Sequence, residues 1–119
     1  MILKNKNIIL TGSNRGIGKS TLEVLLENGA FVYACVRKLD ENKKEYLKEL
    51  NFKYKDKIYP IELDLSNEDS IKEAANSIIK KGDKIDVLIN NAGSILTSNF
   101  LMTSTKNTKS LFDINFFNQ

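Results

Sequence analysis

Short apolar runs alternate with longer segments of helical periodicity along this chain of 119 residues. Apolar runs of four to seven residues are typical of buried strands, whereas apolar residues spaced three and four apart indicate helices. Strands that alternate with helices in this way pair in parallel, and their helices cover both faces of the sheet. The predicted order is strand 7–11, helix 16–28, strand 30–36, helix 41–50, strand 57–63, a helix capped by Ser66 or Asn67 and ended by Gly82, strand 85–89, and helix 106–117. The sequence therefore predicts an α/β protein with a doubly wound parallel sheet, and Pro60 predicts that the third strand lies at its edge.

Composition narrows the possible functions. The 41% of hydrophobic and 28% of charged residues are ordinary for one globular domain. Because the chain has no histidine, His-based triads and His metal sites are excluded, and we predict no metal site. The single cysteine, Cys35, cannot form an internal disulfide, which favours a reducing, cytoplasmic setting. No apolar run approaches the ~20 residues of a membrane helix, so no membrane contact is predicted.

The net charge of +3 is small, and the lysines are interleaved with acids, as in the segment 40–49. Such interleaving is typical of a solvated helix face. We therefore expect no nucleic-acid partner.

A glycine-rich turn joins the first predicted strand to the first predicted helix. Its sequence, Thr-Gly-Ser-Asn-Arg-Gly-Ile-Gly, spans residues 11–18. Glycines permit a tight turn and a close approach of backbone to phosphate, and the helix N-terminus adds free N–H groups and partial positive charge. A plain connecting turn is the alternative, but the strand before it and the helix after it favour a phosphate site.

A P-loop is a second interpretation of the same segment. Gly18, Lys19 and Ser20 match the end of the G-x-x-x-x-G-K-[ST] pattern, but Ser13 stands where the first glycine is needed. The number of residues decides how the backbone wraps the phosphates. A P-loop NTPase is therefore the weaker prediction, although Asp64 after an apolar strand could serve a magnesium ion.

The spacing T-G-x-x-x-G-x-G, with Asp64-Leu65 after the third strand and Asn90-Asn91-Ala92-Gly93 after the fourth, resembles the short-chain dehydrogenase/reductase family of the compact type. The chain looks most similar to 3-oxoacyl-(acyl-carrier-protein) reductases. The resemblance implies a Rossmann-like doubly wound parallel sheet, truncated after the fourth βα unit. Residues 1–119 are then one partial NAD(P)-binding Rossmann domain, the N-terminal half of such an enzyme.

The resemblance also implies which residues bind the cofactor. Residues 12–18 would hold the adenosine ribose and the pyrophosphate. Asp64 would contact the edge of the adenine ring, with Leu65 beside it, and Asn91, Ala92 and Gly93 would form the floor under the adenosine. The segment 90–93 could instead be a plain turn after a strand; the resemblance makes this less favoured and implies that part of the segment's role is to tether the sheet. The implied cofactor residues are Gly12, Ser13, Asn14, Arg15, Gly16, Ile17, Gly18, Arg37, Asp64, Leu65, Asn91, Ala92 and Gly93.

The end of the second strand predicts which dinucleotide is preferred. An acid there would bind the ribose 2′-OH of NAD, but no acid occurs between Ala30 and Lys38. Arg15, Arg37 and Lys38 instead offer positive charge to a 2′-phosphate. We therefore predict NADP(H) in preference to NAD. The alternative is that Arg37 and Lys38 are solvated surface charges.

The family transfers hydride between NADPH and a carbonyl or alcohol substrate, with a Tyr-x-x-x-Lys pair and a serine at the reacting centre. The resemblance assigns Asn115 to the same catalytic set, where it would help to hold a water in the proton relay. None of the four tyrosines is followed by lysine four residues later. We therefore expect the chain to be catalytically incomplete, with a non-catalytic dinucleotide-binding module as the alternative function.

Self-association is a further expectation. Without a fifth strand, the apolar segment 87–89 would form an open edge that invites pairing with another chain. The apolar residues Leu111, Phe112, Phe116 and Phe117 would also lack packing partners. These features predict a homo-oligomer, an exchange of elements between chains, or marginal stability.

Overall fold

A computed structural model describes residues 2–13 and 16–91, together with the backbone of the pair 115–116. Most elements start and end within two residues of the predicted positions. The elements are β1 (Asn7–Thr11), α1 (Gly16–Glu27), β2 (Phe31–Val36), α2 (Glu41–Lys53), β3 (Ile58–Glu62), α3 (Glu68–Lys81), β4 (Val87–Ile89) and β5 (Asn115–Phe116).

The strands form one parallel sheet in the order β3-β2-β1-β4-β5. In the centre of the sheet, Ile9 of β1 lies opposite Tyr33 of β2 and Leu88 of β4. The chain first builds outward from β1 to β3 and then crosses to the other side of β1 to form β4. The predicted edge position of β3 is confirmed, and its Pro60 lies opposite Ala34 of β2.

Two separate apolar layers cover the sheet. Side chains of successive strand residues point to opposite faces, so Ile8 and Leu10 of β1 pack with α1 and α2, whereas Ile9 packs with α3. β2 is divided in the same way, which explains why its residues 32–36 are all buried. The doubly wound α/β class is thereby confirmed.

The sequence contains capping and stop signals for α3 but no stop signal for the end of α2. Asn67 is the N-cap of α3, and its side chain accepts a hydrogen bond from the Ser70 amide, while Gly82 ends the helix with a φ of 77°. α2 runs three residues beyond the predicted end at Leu50, to Lys53, and Lys55 and Asp56 then turn the chain with φ of 58° and 63°. No glycine or proline marks that turn, so the sequence contains no stop signal there.

The predicted final helix is wrong where the structure describes it. Asn115 and Phe116 form β5 and pair in parallel with Val87 and Leu88. The prediction of an open edge at β4 is wrong for the same reason, because β5 takes up the backbone groups that an edge strand would leave unpaired. Residues 106–114, which include Leu111 and Phe112, and Phe117 lie outside the described residues. Self-association stays a prediction, without the edge that motivated it.

A part-buried polar cluster fixes the end of α3 against the amino end of the sheet. The Tyr33 hydroxyl donates to Asp83 Oδ2 over 2.8 Å, and the Lys81 ammonium lies 3.5 Å from the same carboxylate oxygen. Burial and the Asp83 hydrogen bond raise the pKa of Tyr33 above its ordinary value. The Lys81 ammonium also lies over the rings of Phe31 and Tyr59. This cluster holds the end of α3 in place, far from the carboxyl ends of the strands.

Burial also raises the pKa of the Cys35 thiol to about 12.

None of the helices in the described ranges is long and apolar enough to cross a membrane. The same ranges contain no group of three or more side chains that could hold a metal ion.

Candidate functional site

The glycine-rich turn lies at the point where the strand order reverses. β1 ends at Thr11, α1 begins at Gly16, and the neighbours of β1 are β2 on one side and β4 on the other. In open parallel sheets, ligands bind at this switch point, outside the carboxyl ends of the strands. The first turn of α1 contains no acidic residue, so no side chain of that turn offsets the partial positive charge of the helix N-terminus.

Gly18 is required by a close approach between α1 and the turn. A Cβ atom at Gly18 would lie far inside van der Waals contact with the carbonyl oxygen of Gly12 and 2.6 Å from Asn91 Nδ2. Gly12 and Gly16 have positive φ, of 64° and 57°, which side chains rarely adopt. The three glycines thus allow the helix N-terminus to sit directly against the end of β1.

Thr11, Asn90 and Asn91 join the end of β4 to the turn. The Thr11 hydroxyl donates to Asn90 Oδ1 over 3.2 Å and accepts from the Asn91 amide over 3.0 Å. Asn91 Nδ2 also donates to the Gly12 carbonyl oxygen over 3.3 Å. Asn91 therefore makes the tethering contacts that the resemblance implies for this segment. Thr11 and Asn90 were not among the predicted site residues, although they stand next to the glycine pattern and the Asn-Asn pair.

The hydroxyl of Thr11 can be tested by itself. Thr11→Val keeps the shape of this buried side chain but removes the acceptor of the Asn91 amide. We expect a loss of about 0.5–1.5 kcal/mol in the free energy of unfolding, the usual net contribution of one hydrogen bond, because the Asn91 amide is in a part-buried position. Urea unfolding measures it, and Thr11→Ser, which keeps the hydroxyl, is the matched control. A Thr11→Val variant no less stable than Thr11→Ser would contradict the tethering role.

Ser13 fixes the other side of the turn. Its backbone N–H and its hydroxyl both donate to the Cys35 carbonyl oxygen over 3.1 Å, and the residue is fully buried. The turn is thus attached to β2 as well as to β4. Ser13 was predicted as a cofactor contact, and the structure gives its side chain an anchoring position.

Lys19 helps to separate the two interpretations of the turn. Its ammonium lies 4.7 Å from the ring centroid of Tyr46 on α2. A P-loop lysine reaches the phosphates that its own loop surrounds. The contact with Tyr46 directs Lys19 toward α2, which favours the dinucleotide turn over the P-loop.

A second group of polar residues follows β2 and β3. Asp64 Oδ1 accepts hydrogen bonds from the Ser66 hydroxyl over 2.6 Å and from the Ser66 amide over 3.0 Å. Arg37 Nε lies 3.8 Å from the same oxygen, and the Arg37 side chain is 78% exposed. The Ser66 hydrogen bonds and then the Arg37 charge hold the pKa of Asp64 below its ordinary value. An ionised carboxylate and an accessible guanidinium therefore stand together beyond the ends of β2 and β3.

The remaining predicted residues are placed as follows. Leu65 is partly buried against the apolar layer that includes α3, and Ile17 is 77% exposed in the first turn of α1. The backbone of Asn115 lies opposite Val87, the first residue of β4, at the end of the strand away from the turn. Its catalytic role stays a prediction. Asn14, Arg15, Ala92 and Gly93 lie outside the described residues.

Comparisons with known proteins agree with this geometry. The 7alpha-hydroxysteroid dehydrogenase of Paraclostridium sordellii is 40% identical over 95 residues, which are 77% of this chain and 34% of that protein. The NADP-dependent 3-hydroxy acid dehydrogenase of Schizosaccharomyces pombe is 37% identical over 94 residues, which are 79% of this chain and 36% of that protein. The chain thus spans about a third of the length of these two relatives.

One of the similar solved structures is ElxO with NADP bound. It superimposes with a TM-score of 0.71 at 26% identity, over 88% of this chain and 51% of that one. The family model described as short chain dehydrogenase matches residues 6–118. On the strength of this match, together with the glycine turn at the switch point of a doubly wound sheet, the chain belongs to the short-chain dehydrogenase family.

Proposed function

We propose that the chain binds NADP(H) at the glycine-rich turn and is the cofactor-binding part of an oxidoreductase. The observation that carries this proposal is the packing of Gly18 against the Gly12 carbonyl, because it brings the N-terminus of α1 to the switch point of the sheet. A pyrophosphate there would meet backbone N–H groups and the positive end of the helix. Asp64 and Leu65 would adjoin the adenine, and Asn91, Ala92 and Gly93 the adenosine.

The preference for NADP over NAD rests on charge at the end of β2. Arg37 is exposed, and no acid follows β2 before Asp40. A guanidinium can make two parallel hydrogen bonds to a phosphate, whereas the 2′-OH of NAD would need an acceptor. The similar structure of ElxO has NADP bound, and the Schizosaccharomyces pombe relative is described as NADP-dependent. Both observations support NADP(H) as the cofactor.

The reaction we propose is hydride transfer between NADPH and a carbonyl or alcohol. The two relatives are named for a hydroxysteroid and a 3-hydroxy acid, and both substrates carry a hydroxyl group. A 3-oxoacyl thioester, which the resemblance to 3-oxoacyl-(acyl-carrier-protein) reductases suggests, would give a product of the same kind. Because the 119 residues contain no Tyr-x-x-x-Lys pair, we expect them to bind the cofactor without turning it over.

Titration of the protein with NADPH and with NADH tests this proposal. NADPH fluorescence can report binding without energy transfer from tryptophan, since the chain has none. We expect NADPH to bind more tightly than NADH, and acetoacetyl thioesters to leave the bound NADPH unoxidised. Equal or tighter binding of NADH would contradict the NADP preference, and failure of both nucleotides to bind would overturn the function itself. Magnesium-dependent nucleotide hydrolysis would instead support the P-loop alternative.

A further inference from the structure

We propose that Glu62 is a positioning residue for recognition of the 2′-phosphate. The residues between β2 and α2, Arg37, Lys38, Leu39 and Asp40, are called the cationic loop below. Glu62 is the last residue of β3, and its side chain holds the backbone of this loop. The inference rests on the proposed binding of NADP(H) and assigns to Glu62 the task of presenting the cations of the loop to the ligand.

The contact is a single hydrogen bond to the middle of the loop. The Leu39 amide donates to Glu62 Oε1 over 2.9 Å. Leu39 itself is partly buried against the apolar layer that includes α1 and α2. Because the amide of Leu39 directly follows Lys38 in the chain, fixing it also fixes the backbone from which Arg37 and Lys38 project.

Other contacts fix the two ends of the loop. The Leu63 amide donates to the Val36 carbonyl oxygen over 2.7 Å, which holds the loop's start against β3. Asp40 Oδ1 accepts from the Lys43 amide over 2.9 Å and caps α2, which holds the loop's end. The hydrogen bond that Glu62 accepts from the Leu39 amide restrains the backbone between these two ends.

The two carboxylates at the end of β3 thus have complementary effects on the cationic loop. Glu62 restrains its backbone, and Asp64 draws the Arg37 side chain toward the site through the ion pair of 3.8 Å. A loop that is already ordered loses less conformational freedom when a phosphate binds. The carboxylate charge of Glu62 itself would repel a phosphate, so only its hydrogen bond should favour binding.

That difference makes Glu62→Gln and Glu62→Ala informative as a pair. Glutamine keeps an acceptor for the Leu39 amide and removes the charge, whereas alanine removes both. The probes are adenosine 2′,5′-bisphosphate and AMP, which differ by the 2′-phosphate alone. For Glu62→Ala we expect the ratio of the affinity for adenosine 2′,5′-bisphosphate to the affinity for AMP to fall about three- to tenfold. That is roughly the cost of ordering one released segment when the ligand binds. For Glu62→Gln we expect a ratio equal to or above that of the wild type.

Amide hydrogen exchange provides a readout that needs no ligand. The Leu39 amide should exchange faster in Glu62→Ala than in the wild type, and Glu62→Gln should retain protection. Glu49→Ala is the control, since it removes an exposed carboxylate from α2 without touching the cationic loop. It should leave both the affinity ratio and the exchange of Leu39 unchanged.

The outcomes separate this inference from the proposed function. If the wild type does not distinguish the two probes, the NADP preference is overturned and the role of Glu62 with it. If the wild type distinguishes them and Glu62→Ala does so equally well, only the role of Glu62 is overturned. An equal weakening of both probes would show that Glu62 supports the fold alone and would also reject the inference.

Discussion

Replacing Gly18 with alanine is expected to abolish cofactor binding. The added methyl group would collide with the Gly12 carbonyl and crowd the Asn91 side chain, and backbone cannot yield as a flexible side chain can. α1 would have to move away from β1, and the N–H groups at its N-terminus would lose their place at the switch point. We expect NADPH affinity to fall at least ~100-fold, since misplacement of the turn removes several backbone hydrogen bonds to the phosphates, each worth about 1.5–3 kcal/mol to a charged group.

The same substitution should lower stability. Forcing an extra carbon into well-packed structure costs about 1–3 kcal/mol, which urea unfolding can measure. Gly82→Ala is the control, because Gly82 has a positive φ, which Gly18 does not, and an added Cβ at Gly82 meets nothing within 4 Å. It should lose about 1 kcal/mol of stability from the strained backbone alone and keep its NADPH affinity. Wild-type affinity in Gly18→Ala would refute the assignment of the turn as the pyrophosphate site.

Replacing Arg37 with alanine is expected to remove most of the preference for NADPH over NADH. Hydrogen bonds between charged groups are worth about 1.5–3 kcal/mol, which corresponds to a loss of about 10- to 100-fold in NADPH affinity. NADH has no 2′-phosphate, so its affinity should change little. Isothermal titration with both nucleotides gives the two dissociation constants directly.

Two controls test whether Arg37 acts through its charge: a change of ionic strength and the substitution Arg37→Lys. Raising the ionic strength should weaken NADPH binding more than NADH binding in the wild type, and this difference should shrink in Arg37→Ala. Arg37→Lys keeps the charge but not the paired geometry, and we expect an intermediate loss. An equal fall in the affinities of both nucleotides would contradict the assignment of Arg37 to the 2′-phosphate. It would mean that Arg37 contacts the pyrophosphate, which both nucleotides share, or that it stabilises the fold.

Local patterns in the sequence predicted most of the sheet and its helices. The apolar runs, the Asn67 cap and Gly82 lie close to the ends they mark, because strand burial and helix capping depend on residues that are near in sequence. The end of α2 and the strand at Asn115–Phe116 were missed. Lys55 and Asp56 adopt positive φ without a glycine, and β5 exists because β4 offers unpaired backbone groups, a long-range contact that propensity does not report.

In the candidate site, too, the sequence predicted the local features but not the contacts between distant residues. The glycine spacing predicted a dinucleotide turn, and the absence of an acid after β2 predicted a preference for NADP. The sequence did not predict three hydrogen-bonded contacts of the site. They join Ser13 to Cys35, Thr11 to Asn90 and Asn91, and Glu62 to Leu39. Each of these last contacts joins residues more than 20 positions apart, so no local pattern marks it.

The sequence by itself determined the class of fold, the place of the glycine-rich turn and the sign of the charge that follows β2. These follow from periodicity, from glycine's freedom near a helix N-terminus, and from the presence or lack of an acid at one position. Only the tertiary structure decided how that turn is held and which carboxylates order the cationic loop. The physical reason is that parallel pairing brings the carboxyl ends of β1, β2, β3 and β4 to one edge, where side chains from distant parts of the chain first come within hydrogen-bonding distance.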